Sequence, residues 1–136
     1  MAGEGALSAK VSRNTLDAYF AAIAARDPQR IAALFAEGGE IEDPVGSPIR
    51  HGRDAVAELF ASGVAALASH VDIKVLAALP SGNSIAAYWT MTARGKAGRE
   101  VKAEGIDVLQ VDARGLIVRA EGYWNAAAFR QALAAN

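Results

Sequence analysis

The chain is patterned as an α+β fold, with helices first and a run of antiparallel strands after them. Three observations predict this. Near the start, Leu16, Tyr19, Phe20 and Ile23 recur at i, i+3, i+4 and i+7, the spacing of one buried helical face. From residue 71 onward the spacing changes to alternation, with turn residues between the runs. No repeat or low-complexity stretch separates the two regimes, so 136 residues read as one domain with room for an apolar core.

Residues 1–11 are small and polar, and are expected to form a flexible tail ahead of a domain over 12–136. The first helix starts at Ser12. Asp27 and Pro28 then restart a helix, because Asp caps a helix start and Pro is tolerated in the first turn. Ile31, Leu34 and Phe35 form its apolar stripe, and Gly38 with Gly39 end it. Residues 40–43 read as a short strand broken by Pro44 and Gly46. A third helix is predicted over 53–67, with Val56, Leu59, Phe60 and Val64 inward. Strands follow over 71–79, 85–93, 101–111 and 116–125, separated by turn signals at 80–83, 94–96 and 112–115. Residues 126–135 can make a terminal helical turn or two. A curved, mixed or antiparallel sheet wrapped around three N-terminal helices would leave a deep apolar pocket between the layers.

Composition excludes several classes of function. The 14 basic and 15 acidic side chains nearly cancel, and Arg26, Arg30, Arg50, Arg53 and Arg94 are scattered rather than clustered. That leaves no electrostatic footprint for nucleic acid or an anionic membrane. The absence of cysteine rules out disulfides, thiolate catalysis and Cys-based metal sites. His51 and His70 stand alone, without the spacing of metal ligands. There is no phosphate-binding glycine pattern and no Ser/His/Asp elbow. The N-terminus lacks the charged start and apolar run of a signal peptide. No stretch approaches the roughly 20 apolar residues of a membrane span, and a cytoplasmic protein is expected.

Three polar residues fall on apolar faces. In the strand over 101–111, Val101, Ala103, Gly105, Asp107, Leu109 and Val111 share a face, and Asp107 is the one charge-capable member of that row. Burial there favours the neutral carboxylic acid. In the short strand Glu40 and Glu42 share one face while Ile41 and Asp43 share the other, which points Asp43 inward just before the Pro44 break. An Asp capping an Asp-Pro turn is the plain alternative. Tyr19 lies in the buried stripe of the first helix, where its hydroxyl wants a partner; a core Tyr bonded to a backbone carbonyl would also serve. Two inward acids in different environments are how a fold separates a base from a proton donor. Trp89 and Met91 share the inward face of their strand, and Gly122 and Trp124 that of theirs, where Gly122 leaves room beside the indole. Tyr88 and Tyr123 project to the other side of the sheet.

With Ala18-Tyr19, Arg26-Asp27, Ile41 to Gly46 (Ile-Glu-Asp-Pro-Val-Gly), His51-Gly52-Arg53, Ile106-Asp107-Val108 and Tyr123-Trp124 in order, the chain resembles the bacterial steroid Δ5-3-ketosteroid isomerases over residues 12–125. The resemblance implies a cone-shaped fold of the nuclear-transport-factor-2-like superfamily, a homodimer and a small hydrophobic ketone as substrate, with no metal or organic cofactor. It implies Asp43 as general base, and Tyr19 with a protonated Asp107 as donors to the dienolate oxygen, a mechanism that belongs to that family. The expected substrate wall is Trp124, Trp89, Met91, Phe60, Phe35 and Val45.

One departure stands out. Phe35 and Phe60 occupy places where the familiar isomerases carry tyrosines that support the catalytic one. A polyketide cyclase or dehydratase, or a non-catalytic binder of steroids or other hydrophobic molecules, are the alternative functions on the same fold.

Overall fold

The helical spacing of the first third becomes one long helix, α1 (Ala2–Ala24), in a computed structural model that describes residues 2–135. Residues 2–11, expected as a tail, are part of this helix. Their alanines and lysine are strong helix formers and outweigh Gly3 and Gly5. The helix is tied across the molecule where Thr15 Oγ1 donates to the Gly115 carbonyl at 2.6 Å. The capping expected of Asp27 is present at the start of α2 (Pro28–Ala32), where its Oδ1 accepts from the Arg30 N–H at 3.1 Å.

That second helix is shorter than its apolar stripe suggested. Phe35 is not helical but opens β1 (Phe35–Glu42), which contains both Gly38 and Gly39. Sheet pairing overrides the local period here, because Phe35 pairs with Ile117 and the register then shifts before Glu40. A Cβ on Gly39 would lie 2.6 Å from the Ile117 carbonyl oxygen, so this glycine allows a close strand approach rather than stopping a helix. After β2 (Arg50–His51), the predicted third helix is split by Gly63 into α3 (Arg53–Ser62) and α4 (Val64–Leu67).

The alternating runs form β3 (Ala68–Ser81), β4 (Ser84–Gly95), β5 (Glu100–Val111) and β6 (Ile117–Tyr123), followed by α5 (Ala126–Ala134). They join in a six-stranded sheet of order β2-β1-β6-β5-β4-β3. Only the β1–β6 pairing is parallel, so the sheet is mixed. Its inner face packs on α1 to α3 through a core that includes Leu16, Phe35, Ile41, Leu109 and Ile117, all fully buried.

α5 closes the far end of the sheet. A Cβ on Gly95 would sit 2.5 Å from the Leu133 carbonyl oxygen, so the helix lies directly on strand backbone. Gly95→Ala is expected to push α5 away and to destabilise the fold by about 1–3 kcal/mol, measured as a lower urea midpoint. An unchanged midpoint would mean that α5 is not seated on β4 in this way.

Candidate active site

The candidate site is set by strand register. Asp107 on β5 lies directly opposite Gly122 on β6. A Cβ on Gly122 would meet Asp43 Oδ1 at 2.6 Å and its Cγ at 2.7 Å. The Asp43 carboxylate therefore occupies the space that a side chain at 122 would fill, and stands beside Asp107 as a cross-strand neighbour. Gly122 makes room for the base rather than for the Trp124 indole. The glycine beside the indoles is Gly105, opposite Trp89, where a Cβ would lie 2.5 Å from the Trp89 ring and 2.7 Å from the Trp124 Cβ.

Each carboxyl is held by its own indole. Trp124 Nε1 donates to Asp43 Oδ1 at 2.7 Å, and Trp89 Nε1 donates to Asp107 Oδ1 at 2.9 Å. The two indoles meet edge to face at 5.4 Å, and Phe129 of α5 packs on Trp124 at 5.3 Å. On the outer face, Arg119 pairs with Glu40, Glu42 and Glu121, which turns the glutamates of β1 to the outside and leaves Ile41 and Asp43 inward.

Burial raises both acids above the ordinary carboxylate range, but unequally. Asp43 is pushed up to about 6 by desolvation, against which the Trp124 hydrogen bond works. Asp107 is raised well above its usual value by desolvation first and then by the neighbouring Asp43 charge, with Trp89 opposing. Of the two, Asp107 is the more strongly held in its neutral form, because it is the more deeply buried and faces the Asp43 charge. With Asp107 Oδ1 accepting from Trp89, a proton on this carboxyl would sit on Oδ2.

The carboxyls open on a cavity of about 100 Å³ whose wall is otherwise largely apolar. Of the expected substrate wall, Trp124, Trp89, Met91 and Phe60 line it. Phe35 and Val45 do not. Phe35 is fully buried at the start of β1 and packs on Tyr19, while Val45 is 40% exposed beyond the end of the strand. Tyr19 lies behind the wall rather than on it, fully buried, with Phe60, Phe35 and Phe20 around its ring at 6.2, 6.2 and 5.6 Å. Its Oη is the one buried side-chain polar atom without a hydrogen-bond partner among the described residues. Burial, then the charges of Asp107 and Asp43, push its phenol well above the usual value.

Sequence reasoning missed the walls contributed by α5 and by the α3–α4 break, including Phe129, Leu133, Gly63 and Arg130. The apolar spacing of Phe129 and Leu133 at i and i+4 was the available signal. Among the described residues no cluster of His, Asp or Glu could hold a metal ion, and no helix is long and apolar enough to cross a membrane.

The curved mixed sheet, the helices on its inner face and the acid-bearing apolar cavity define a cone-like α+β protein of the nuclear-transport-factor-2-like kind. Residues 16–120 match the SnoaL-like domain, and the chain belongs to that family. It is 32% identical, over 106 residues, to a steroid Delta-isomerase from Nocardioides simplex, covering 78% of this chain and 83% of that one. Among solved structures it is similar to SalBIII, an epoxide hydrolase/cyclase-like enzyme of pyran ring formation in polyether salinomycin. That match has a TM-score of 0.76 and 24% identity over 89% of this chain and 95% of that one. RV0760c from Mycobacterium tuberculosis, solved in complex with estradiol-17beta-hemisuccinate, gives a TM-score of 0.74 at 24% identity, covering 86% and 95%. At such identities the two structures speak for the fold.

The electrostatics carry a stability signature. Asp43 binds its proton more tightly in the fold (about 6) than in the unfolded chain (3.8), so its ionisation destabilises the fold as pH rises through that window. Asp43→Asn cannot ionise, and is expected to be more stable than the parent at pH 7.5 by on the order of 1–3 kcal/mol. The gap should close towards pH 4 in urea titrations. A gap independent of pH would remove the desolvated carboxylate from the account.

Proposed function

We propose that this protein is a steroid Δ-isomerase, shifting a double bond of a 3-oxo-Δ5 steroid or similar unsaturated ketone into conjugation. The observation that carries the reading is the pair of neighbouring buried acids on one apolar wall, with Asp107 the more strongly held in its neutral form. The 32% identity to the Nocardioides simplex steroid Delta-isomerase supports the substrate class.

In this reading the Asp43 carboxylate removes a proton from carbon 4, and the electron pair moves to the ketone oxygen. The resulting dienolate takes a hydrogen bond from Asp107 through the oxygen that Trp89 leaves free. Tyr19 sits behind the wall, but its unpartnered hydroxyl feels the charges of both acids, and in this reading it reaches the oxyanion beside them as a second donor. Protonated Asp43 then returns the same proton to carbon 6 as the carbonyl re-forms, so nothing is oxidised or reduced overall. Donors fixed in an apolar cavity act where the charge develops and need no reorganisation during the reaction. Tyr88, Ile106 and Tyr123 line up across β4, β5 and β6 on the outer face, 37%, 45% and 46% exposed, which supports a homodimer through that face.

A second reading, a cyclase or dehydratase, is favoured by the SnoaL-like family and by Tyr19, which is ringed by phenylalanines in place of supporting hydroxyls. Asp107→Asn separates the two. An isomerase keeps a partial donor and partial activity, whereas a cyclase that does not use this position is indifferent.

The test is conversion of 5-androstene-3,17-dione to its conjugated isomer, followed by ultraviolet absorbance. The parent should turn over, with kcat/KM rising through a midpoint near 6 as Asp43 ionises. Asp43→Asn should lose roughly 10²–10⁴-fold. Binding without turnover would move the protein to the non-catalytic steroid binders.

Tyr19→Phe provides an independent check with two readouts. Losing an oxyanion donor should slow turnover by about 10²–10³-fold. Removing an unpartnered buried hydroxyl should at the same time stabilise the fold, by about 1–3 kcal/mol. Stabilisation with unchanged kcat would leave Tyr19 as a core residue only.

A further inference from the structure

The ionisable side chains on the cavity wall are Asp43, Asp107 and one cation, Arg130. The mechanism uses both acids and leaves the cation unexplained. Asp107 is 4% exposed at the inner end, whereas Arg130 is the one exposed residue of the wall, which puts it at the rim. Its neighbour Phe129 turns inward onto Trp124, so α5 presents an apolar ring to the cavity and the next side chain to its edge.

The guanidinium has a seat. It lies across the Gly63 break between α3 and α4, with one nitrogen 3.7 Å from where a Cβ on Gly63 would stand. Nη2 donates a long hydrogen bond of 3.4 Å to the Ser62 carbonyl. Among the described residues no carboxylate lies within ion-pair distance of Arg130, whereas Arg13 and Arg94 each have one and Arg119 has three. A guanidinium carries five N–H donors in a planar fork, and this one is left with most of them unused beside an apolar opening.

We propose that Arg130 binds a carboxylate at the far end of the ligand, so that the substrate class is a flat apolar ketone with an anionic tail. This rests on the isomerase reading for the identity of the inner end. The two ends of the cavity have opposite electrostatic preferences. An anion is repelled by ionised Asp43 inside and attracted by Arg130 outside, so the ketone enters first and the tail stays at the rim. From Asn125, which caps α5 beside Trp124, to Arg130 the helix rises about 8 Å. One skeleton that spans the wall from the acids to the rim would touch both ends. The planar fork matches a carboxylate through two parallel hydrogen bonds, which a neutral ester cannot reproduce.

The experiment compares the 17-carboxylic acid of a 3-oxo-Δ4 steroid with its methyl ester, titrated against the tryptophan fluorescence of the full chain. The two ligands share a skeleton and differ in the tail charge. In the parent the acid should bind about fivefold more tightly than the ester at low salt, on the scale of an exposed charge pair, and the ratio should shrink as salt is added. In Arg130→Gln the ratio should fall to about one, and Arg130→Lys, which keeps the charge without the fork, should lie between. A parent ratio of one, or an unchanged ratio in Arg130→Gln, overturns the proposal while ester binding keeps the steroid reading alive. If neither ligand binds, the steroid reading has failed and this inference falls with it.

Discussion

Two carboxyl groups sit side by side on one apolar wall, and their removal from water constrains everything around them. Each charge taken from water must be offset by a donor or suppressed by a proton. Both solutions are used here. Trp124 supports the charge of Asp43, while deeper burial and the Asp43 charge favour the neutral form of Asp107 despite its bond from Trp89. The indoles and the Asp43 carboxylate need volume, which Gly105 and Gly122 supply by having no side chain. The register is therefore the hidden constraint. A slip of one residue along β6 would bring Tyr123 or Glu121 into the place of Gly122 and leave Asp43 without a seat.

Much of this was legible in the chain, because strand alternation is a rigid rule. The inward row of β5 singled out Asp107, and Ile41 before the Pro44 break turned Asp43 inward. What could not be read depends on contacts distant in sequence. Phe35 fits a helical stripe with Ile31 and Leu34, yet pairing with Ile117 draws it into a strand. The burial of Tyr19 followed from its period, but its enclosure behind the wall depends on rings from β1 and α3. Facing told which side Trp89 and Trp124 occupy, but not that both N–H groups end on acids, since that is a matter of rotamer. Val45 was expected on the wall, and the turn after the strand carries it outward instead.

The comparisons and the site describe one family at two levels of detail. SnoaL-like membership and the structural neighbours account for the sheet, the helices on its inner face and an inward cavity. Within that scaffold the chemistry is decided by a few side chains grafted on the wall, and a shared fold leaves that chemistry open. The phenylalanines around Tyr19 are the place where this chain has its own character. They leave a phenol whose hydroxyl finds no partner in the protein itself.

The parallel pairing of β1 with β6 has a consequence for how the molecule assembles. Asp43 and the Trp124 that holds it are 81 positions apart in the chain. Hairpins among β3, β4, β5 and β6 can form from neighbouring segments, but β1 must close a long loop before it gains its partner. The base therefore joins its site through a contact of high loop-closure cost, after the local hairpins. A chain with β1 still unpaired can hold most of its sheet and its Asp107, yet have no base.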